Sequence, residues 1–232
     1  MKNAIGEYIF FADADDFFLP NLNQVLDDFK TNDNFDIIFF NSISLDSETL
    51  IPSHRGRDWS KLRNKLGDEK KLEDHLKYLF GEPWCKLIKR SLIVENNIHF
   101  DEIPIHNDTF FSYMIGFNAR NIKIDDRAIY CITTRNNSVS KTINNKNLLI
   151  RAEVFAKKNK FFKEHDLPYF DKLLLAAFYP IKNNDDLKRK FYQILQSNGI
   201  SQKEFILKLI HFYPLLIKNK LKYMGRKMIN KF

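Results

Sequence analysis

Apolar residues fall along this chain in two rhythms, and each predicts a different element. Short unbroken runs at residues 8–12 (Tyr8-Ile9-Phe10-Phe11-Ala12) and 35–40 (Phe35-Asp36-Ile37-Ile38-Phe39-Phe40) read as strands covered on both faces of a mostly parallel sheet. Residues 121–134 alternate and read as a further strand, with Ile122, Ile124, Ile129 and Ile132 inward. Helical spacing appears after Pro20 (Leu22, Val25, Leu26, Phe29), across 68–80 (Leu72, Leu76, Leu79, Phe80), after Pro83 (Trp84, Leu87, Ile88, Leu92) and after Asp108 (Phe110, Phe111, Met114, Ile115). The polar, turn-rich stretch 41–57 predicts a surface loop. Beyond Asn144 only helices are expected, over 148–165, 169–179 and 186–196, with Gly199 as a stop. The pattern therefore divides the chain into an α/β domain over 1–143 and a helical region over 144–232.

The first strand ends abruptly in three carboxylates, Asp13, Asp15 and Asp16. In open α/β sheets ligands sit beyond the carboxyl ends of strands, so acids there are aimed where chemistry usually happens. Side chains two apart on an extended chain point the same way, which predicts that Asp13 and Asp15 face one ligand. Carboxylates so close raise one another's pKa unless a cation sits among them, and oxygen-only ligands suit Mg²⁺ or Mn²⁺. Such a cation with open positions in turn suits a diphosphate. The plain alternative is an Asp-rich turn capping the next helix, which needs no ligand. A calcium EF-hand loop from Asp13 is excluded: Phe17 and Phe18 stand where a ligand and the obligatory glycine belong, and Gln24 replaces the terminal Glu.

Composition adds bounds. A chain of 232 residues, 44% hydrophobic and with 22 Phe, can build one sizeable core of large aromatics, or a domain with an appendage. Cys85 and Cys131 are the only cysteines and fit no metal spacing, so two plain thiols in a reducing compartment are expected. With no signal-peptide pattern and no apolar run of the roughly eighteen residues that a membrane span needs, the expected location is cytoplasmic. The charge is uneven. Residues 203–232 hold eight Lys or Arg against Glu204 alone, which is +7 of the chain's +8. Interleaved with Phe205, Leu209, Phe212, Leu216 and Leu221, they read as a basic amphipathic helix pair broken near Pro214. That composition predicts peripheral contact with an anionic membrane, each cation near the headgroups contributing on the order of 1 kcal/mol. No RNA-binding signature accompanies the charge, so nucleic acid is not expected; a packed, merely soluble tail is the alternative.

Residues 3–21, NAIGEYIFFADADDFFLPN, resemble the central segment of family 2 glycosyltransferases with the GT-A fold: Gly-Glu-Tyr-Ile, an apolar strand, Asp-x-Asp-Asp and a Pro shortly after. Residues 81–90 resemble the family's Trp-x-Lys-Leu-x-Lys-Arg segment, whose helix start lines the acceptor and donor-sugar pocket, which implies roles for Trp84 and Lys86. Read without the resemblance, Trp84 is core and Lys89 and Arg90 are solvated. Phe100-Asp101-Glu102 and then His106-Asn107-Asp108-Thr109-Phe110-Phe111 follow at the spacing of the family's Phe-x-Glu and Glu-Asp-x-x-Phe elements. The second acid of that pair is the family's general base, and Asp108 takes its position. Asn107 replaces the Glu and can orient only by hydrogen bonds; with His106 it joins the implied substrate-binding residues. Either Asn107 or Asp108 would also serve as a helix cap. Arg135-Asn136-Asn137-Ser138-Val139-Ser140 resembles the family's Arg-x-x-Ser-x-Ser loop, which implies that Arg135 and Ser138 contact the donor phosphates.

The resemblance runs from about Lys2 to Lys141. In the family, the first strands, the base pocket and an early nucleotide-reading Asp precede the Gly-Glu-Tyr-Ile segment, whereas here Met1 lies five residues before Gly6. The implied fold is a truncated GT-A domain, α/β and Rossmann-like with a mostly parallel sheet, lacking the nucleotide-binding part and followed by a helical basic tail. The implied activity is metal-dependent, inverting transfer of a sugar from a nucleotide-sugar donor to a hydroxyl of a glycan or lipid-linked acceptor in surface polysaccharide or lipopolysaccharide synthesis. Asp13 and Asp15 would hold Mg²⁺ or Mn²⁺, Asp16 and Trp84 would shape the sugar pocket, and Asp108 would take the acceptor proton. The rival from another class is a non-catalytic remnant that binds membrane or a partner transferase. A metal phosphohydrolase using the same acids has no nucleophile motif here.

Overall fold

The segment from Phe35 to Phe40 is apolar enough to fill the middle of a sheet, and in the computed structural model it does. The structure describes residues 3–29, 34–135 and 144–212. The chain forms two compact units, Met1–Thr142 and Ile143–Phe232.

The first unit runs β1 (Tyr8–Ile9), β2 (Phe17–Phe18), α1 (Leu22–Asp27), β3 (Ile37–Asp46), α2 (Trp59–Leu66), α3 (Glu69–Tyr78), β4 (Lys86–Lys89), α4 (Arg90–Glu95), α5 (Asn107–Asn118) and β5 (Ile122–Thr134). Its sheet has the order β1-β4-β3-β5-β2. The one long ladder, β3 with β5, is parallel. The short ladders β1 with β4, β3 with β4, and β2 with β5 are antiparallel. The sheet is thus mixed, with parallel pairing concentrated in its long central ladder. Because β4 runs against both neighbours, β1, β3 and β5 all end on one edge of the sheet, and β4 begins there.

Two elements differ from the pattern-based expectation. The stretch after Phe40 is no surface loop up to residue 57, because β3 continues to Asp46 with Asn41, Ser42 and Ser44 buried. Those polar side chains belong there because they satisfy backbone groups of the returning chain. Ser44 Oγ accepts from the amides of Arg55 (3.0 Å) and Gly56 (2.8 Å), and Ser42 Oγ accepts from the Arg57 amide (2.9 Å). Gly56 permits this approach, since a Cβ there would lie 2.8 Å from the Ser42 carbonyl oxygen. Asn41 donates to the Asp126 carbonyl (2.7 Å) and accepts from the Trp59 amide (2.8 Å). The second difference is at Pro83–Ile88, which opens no helix: Lys86–Lys89 is a strand wedged between β1 and β3, and the helix begins only at Arg90. Leu87 and Ile88 are both buried although they point to opposite faces, because helices and strands cover both sides. Cys85, just before the strand, takes a left-handed φ of 60°.

The core is aromatic. Phe11 packs edge-on against Phe100 (5.4 Å) and Phe111 (5.2 Å), and Phe10 meets Phe18 (5.5 Å) and Phe40 (6.0 Å). Asp58 and Asp68 cap α2 and α3 through the amides of Lys61 and Lys71. Helices α3 and α5 approach so closely that a Cβ on Gly116 would stand 2.1 Å from the Lys77 carbonyl oxygen.

In the second unit α6 (Asn145–Glu164) packs with α7 (Leu173–Phe178) and α8 (Asp185–Ser197). Asn144 and Asn184 cap α6 and α8, and Gly199, at φ 68°, follows the end of α8. A buried ion pair joins Lys158 to Asp171 at 2.7 Å. Phe205 lies against Phe178 (5.2 Å) and Phe191 (5.1 Å). Residues 202–212 are helical; the remainder of the basic tail, with Pro214, lies outside the described residues. Among the described residues no helix is long and apolar enough to cross a membrane.

Candidate active site

The acid-rich segment is a turn, not an extended strand end: the Asp16 amide donates to the Asp13 carbonyl oxygen at 3.1 Å. The chain must bend there because β2 folds back antiparallel onto β5, pairing Phe17 with Cys131 and Phe18 with Tyr130. Alternation along an extended strand therefore does not align Asp13 with Asp15; the turn sets their placement instead.

β5 holds the turn with side chains as well as backbone. The Tyr130 hydroxyl accepts from the Asp13 amide (2.9 Å) and donates to Asp16 Oδ2 (2.9 Å). The Thr133 amide donates to Asp16 Oδ1 (2.7 Å), and Thr133 Oγ1 donates to the Asp15 carbonyl (2.8 Å). Both carboxylate oxygens of Asp16 are thus engaged within the protein, so it anchors the turn. Asp15 pairs with Arg135 at 3.1 Å on the exposed side. Asp13 reaches solvent, yet its carboxyl is pushed above the ordinary range, first by desolvation in the crowded turn and then by the charges of Asp16 and Asp15; Arg55 works against them.

The second acid comes from α5. His106, at a left-handed φ of 59°, immediately precedes the helix, Asn107 is exposed, and Asp108 sits half-buried in its first turn. Burial pushes the Asp108 carboxyl up to about 6, and the charges of Glu82 and Asp13 add to this. Its own backbone N–H and Lys86 pull the other way. Asp108, Asp13, Glu82 and Lys86 therefore share one electrostatic neighbourhood at the sheet edge where β1 ends and β4 begins.

Lys86 and Trp84 act from beneath rather than as open walls. Lys86 is 1% exposed; its Nζ donates to the Phe80 carbonyl (2.8 Å) and lies 4.5 Å from the centre of the Phe80 ring. Trp84 is 2% exposed and stacks on Tyr130 at 5.9 Å with a 14° interplanar angle. Trp84, expected to shape a sugar pocket, is packed into the core, its ring between Tyr130 and Phe80 (5.4 Å). Ser138 lies outside the described residues. Both cysteines are buried and free, with the Cys85 thiol pushed up to about 12 by burial, so neither is an activated nucleophile.

Sequence pattern does not single out Glu82, Arg57, Tyr130 or Thr133. Glu82 forms an ion pair with Arg57, whose guanidinium lies 5.7 Å from the ring centres of Phe80 and Trp84. A charged Glu just ahead of Pro83 and a buried run is the only local signal for it. Tyr130 looks like any strand aromatic. Among the described residues no group of three or more His, Cys, Asp or Glu side chains is arranged to hold a metal ion.

No protein-family model matches this chain. It is 26% identical over 187 residues to the uncharacterized glycosyltransferase YibD of Escherichia coli (strain K12), covering 74% of this chain and 51% of that protein. It is also 26% identical over 191 residues to the cholesterol galactosyltransferase of Borreliella burgdorferi, covering 77% of this chain and 53% of that protein. The chain thus spans about half the length of the curated relatives it matches. A crystal structure of S. aureus TarS in complex with UDP-GlcNAc superposes with a TM-score of 0.50 at 17% identity, over 85% of this chain and 58% of that one. At that identity the likeness is one of fold, and the mixed α/β architecture is a GT-A-like glycosyltransferase fold.

Proposed function

We propose that this chain belongs to an inverting family 2 glycosyltransferase that moves a sugar from a nucleotide-sugar donor to an acceptor hydroxyl. The observation that carries the reading is the placement of Asp108, half-buried in the first turn of α5, where burial raises its carboxyl. A base with a pKa just below the working pH is deprotonated yet accepts a proton more readily than an ordinary aspartate. Relatives named as glycosyltransferases, one of them a galactosyltransferase, support the same class.

Asp108 takes the proton of the acceptor hydroxyl as that oxygen attacks the anomeric carbon from the face opposite the leaving group, which inverts the centre. Asp13 and Asp15 are the residues that would hold Mg²⁺ or Mn²⁺. The crowding that raises Asp13 is what a cation would relieve, and Mg²⁺ is commonly held by only one or two carboxylates together with substrate phosphates. Such an ion would supply positive charge against the departing nucleoside diphosphate. Arg135, already beside Asp15, would turn to the donor phosphates. The further reading, a glycan or lipid-linked acceptor in surface polysaccharide or lipopolysaccharide synthesis, rests on the sequence resemblance. Contact of 203–232 with anionic membrane rests on composition, and salt-sensitive co-sedimentation with phosphatidylglycerol vesicles, lost on deleting 213–232, tests it.

The central test is UDP release from a panel of UDP-sugars with Mn²⁺, comparing the full chain with Asp108→Asn. Release should fall by about 10² or more, while UDP binding by calorimetry stays within about twofold. Unchanged release in the variant removes Asp108 as the base.

A further inference from the structure

A groove of about 530 Å³ opens between α2 and α3, with Arg57 and Glu82 in its wall. Its floor is rigid. The Trp59 indole N–H donates to the Phe40 carbonyl (2.7 Å), its backbone amide donates to Asn41 Oδ1 (2.8 Å), and Phe80 stands edge-on to it at 4.9 Å. The rim carries Lys61 and Lys65. Glu82 and Arg57 line the groove together with Gly56 and Asp58. One donor in that wall is unused: Arg57 Nε is buried with no hydrogen-bond partner, although the guanidinium pairs with Glu82 through NH2.

From these features we infer that the groove is an acceptor subsite for a sugar ring bearing an anionic substituent. The inference rests on the transferase reading for the word acceptor, not for the binding itself. Buried donors are ordinarily satisfied, and a ring oxygen or hydroxyl entering the groove would accept from Arg57 Nε. The apolar floor suits the C–H face of a pyranose. The groove's two acids are already engaged: Glu82 holds Arg57, and Asp58 caps α2 through the Lys61 amide (3.0 Å). The Lys61 ammonium also touches Asp58 at 3.0 Å, but its side chain is 86% exposed, and an exposed pair of this kind is readily exchanged for a ligand anion. A phosphate or carboxylate on the ring would therefore meet Lys61 and Lys65, while the ring itself lies over Trp59 and Phe80 with its hydroxyls toward Arg57.

The test is an NMR titration of the full chain without donor or metal. The chain has two tryptophans, and Trp84, which does not line the groove, provides an internal control for the indole signal of Trp59. The probes are glucose 1-phosphate, glucuronic acid, methyl α-glucoside and inorganic phosphate. The two anionic sugars should shift the Trp59 indole and Leu62 methyl signals and leave Trp84 still, with affinities at least about fivefold above those of methyl glucoside and phosphate. The double variant Lys61→Glu/Lys65→Glu, its fold checked by circular dichroism, should reduce the anionic sugars to the level of the neutral one. The inference is overturned if no probe shifts Trp59, if inorganic phosphate or methyl glucoside binds as well as the anionic sugars, or if the double variant binds them unchanged. Loss of the transferase reading is a separate outcome: unchanged UDP release in Asp108→Asn, with glucose 1-phosphate still seated in the groove, would leave a sugar-phosphate site without the transfer.

Discussion

Replacing Asp108 by Asn should make the protein more stable while silencing it, and the size of the gain follows from burial. The carboxyl titrates near about 6 in the folded chain against an ordinary 3.8. A group whose folded pKa is raised favours the native state below its unfolded pKa, and that contribution is lost as pH rises through the folded value. Above about pH 6 the folded state carries the whole cost of a charged, partly desolvated carboxylate. Two pKa units correspond to about 3 kcal/mol, an upper bound because the side chain keeps some contact with water. Asparagine is nearly isosteric and uncharged, so at about pH 8 the variant should gain about 1 to 3 kcal/mol, raising Tm by roughly 3 to 10 °C for a chain of this size. By about pH 4.5, roughly two thirds of the gain should be gone, because the wild-type carboxyl is then protonated in the native state. Thermal unfolding by circular dichroism at both pH values measures this. A variant that is no more stable at pH 8, or whose gain is the same at both pH values, would mean that Asp108 is ordinarily solvated and not a tuned base. In the same frame, wild-type turnover should fall as pH drops through about 6.

Tyr130→Phe keeps the ring against Trp84 and Phe18 but removes the hydroxyl that joins the Asp13 amide to Asp16. Two groups lose their partner, so unfolding in urea should show a loss of about 1 to 3 kcal/mol, and Mn²⁺ titration should show weaker binding; a loss under about 0.5 kcal/mol would refute the clamp. Gly116→Ala forces a methyl to 2.1 Å from the Lys77 carbonyl oxygen, where backbone rather than a flexible side chain must give way. Destabilisation of about 1 to 3 kcal/mol or more is expected by urea denaturation, and wild-type stability would show that α3 and α5 sit farther apart. Glu82→Gln removes the charge that raises Asp108 most, so the pH midpoint of UDP release should move below about 6; an unmoved midpoint would separate Glu82 from the base.

How far the sequence discloses this arrangement depends on what kind of contact made each part. The acid-rich segment and the start of α5 are legible because short polar motifs sit against strongly apolar runs. The capped helices at 69–78 and 185–197 were visible because burial on one face leaves a period in the sequence. The second half of β3 was not, since Asn41, Ser42 and Ser44 are buried for the backbone hydrogen bonds they accept from a segment eleven to eighteen residues later, a relation with no periodic trace. β4 was misread for the opposite reason: with both faces covered its apolar residues are continuous, and over four residues such a run also fits a helical stripe. Tyr130 and Thr133 meet the acid turn across more than a hundred residues of chain, a pairing that exists only after β2 has folded back onto β5.

Topology explains why charge gathers on one edge of the sheet and how the labour is divided there. β1 and β5 end at that edge and bring the acid turn with its clamp; β4, running the other way, begins there and brings Lys86, with Glu82 just ahead of it. The groups that are sealed hold others in place: Asp16 has both oxygens committed, Trp84 backs Tyr130, and Lys86 is fixed to the Phe80 carbonyl. The groups left partly open are Asp13 and Asp15 on the turn and Asp108 in the first turn of α5, the carboxylates to which the proposed function gives the metal and the proton. With Asp16 fixed through Tyr130 and Thr133 and Arg135 set beside Asp15, the turn keeps Asp13 and Asp15 displayed, and the crowding leaves the Asp13 carboxyl raised.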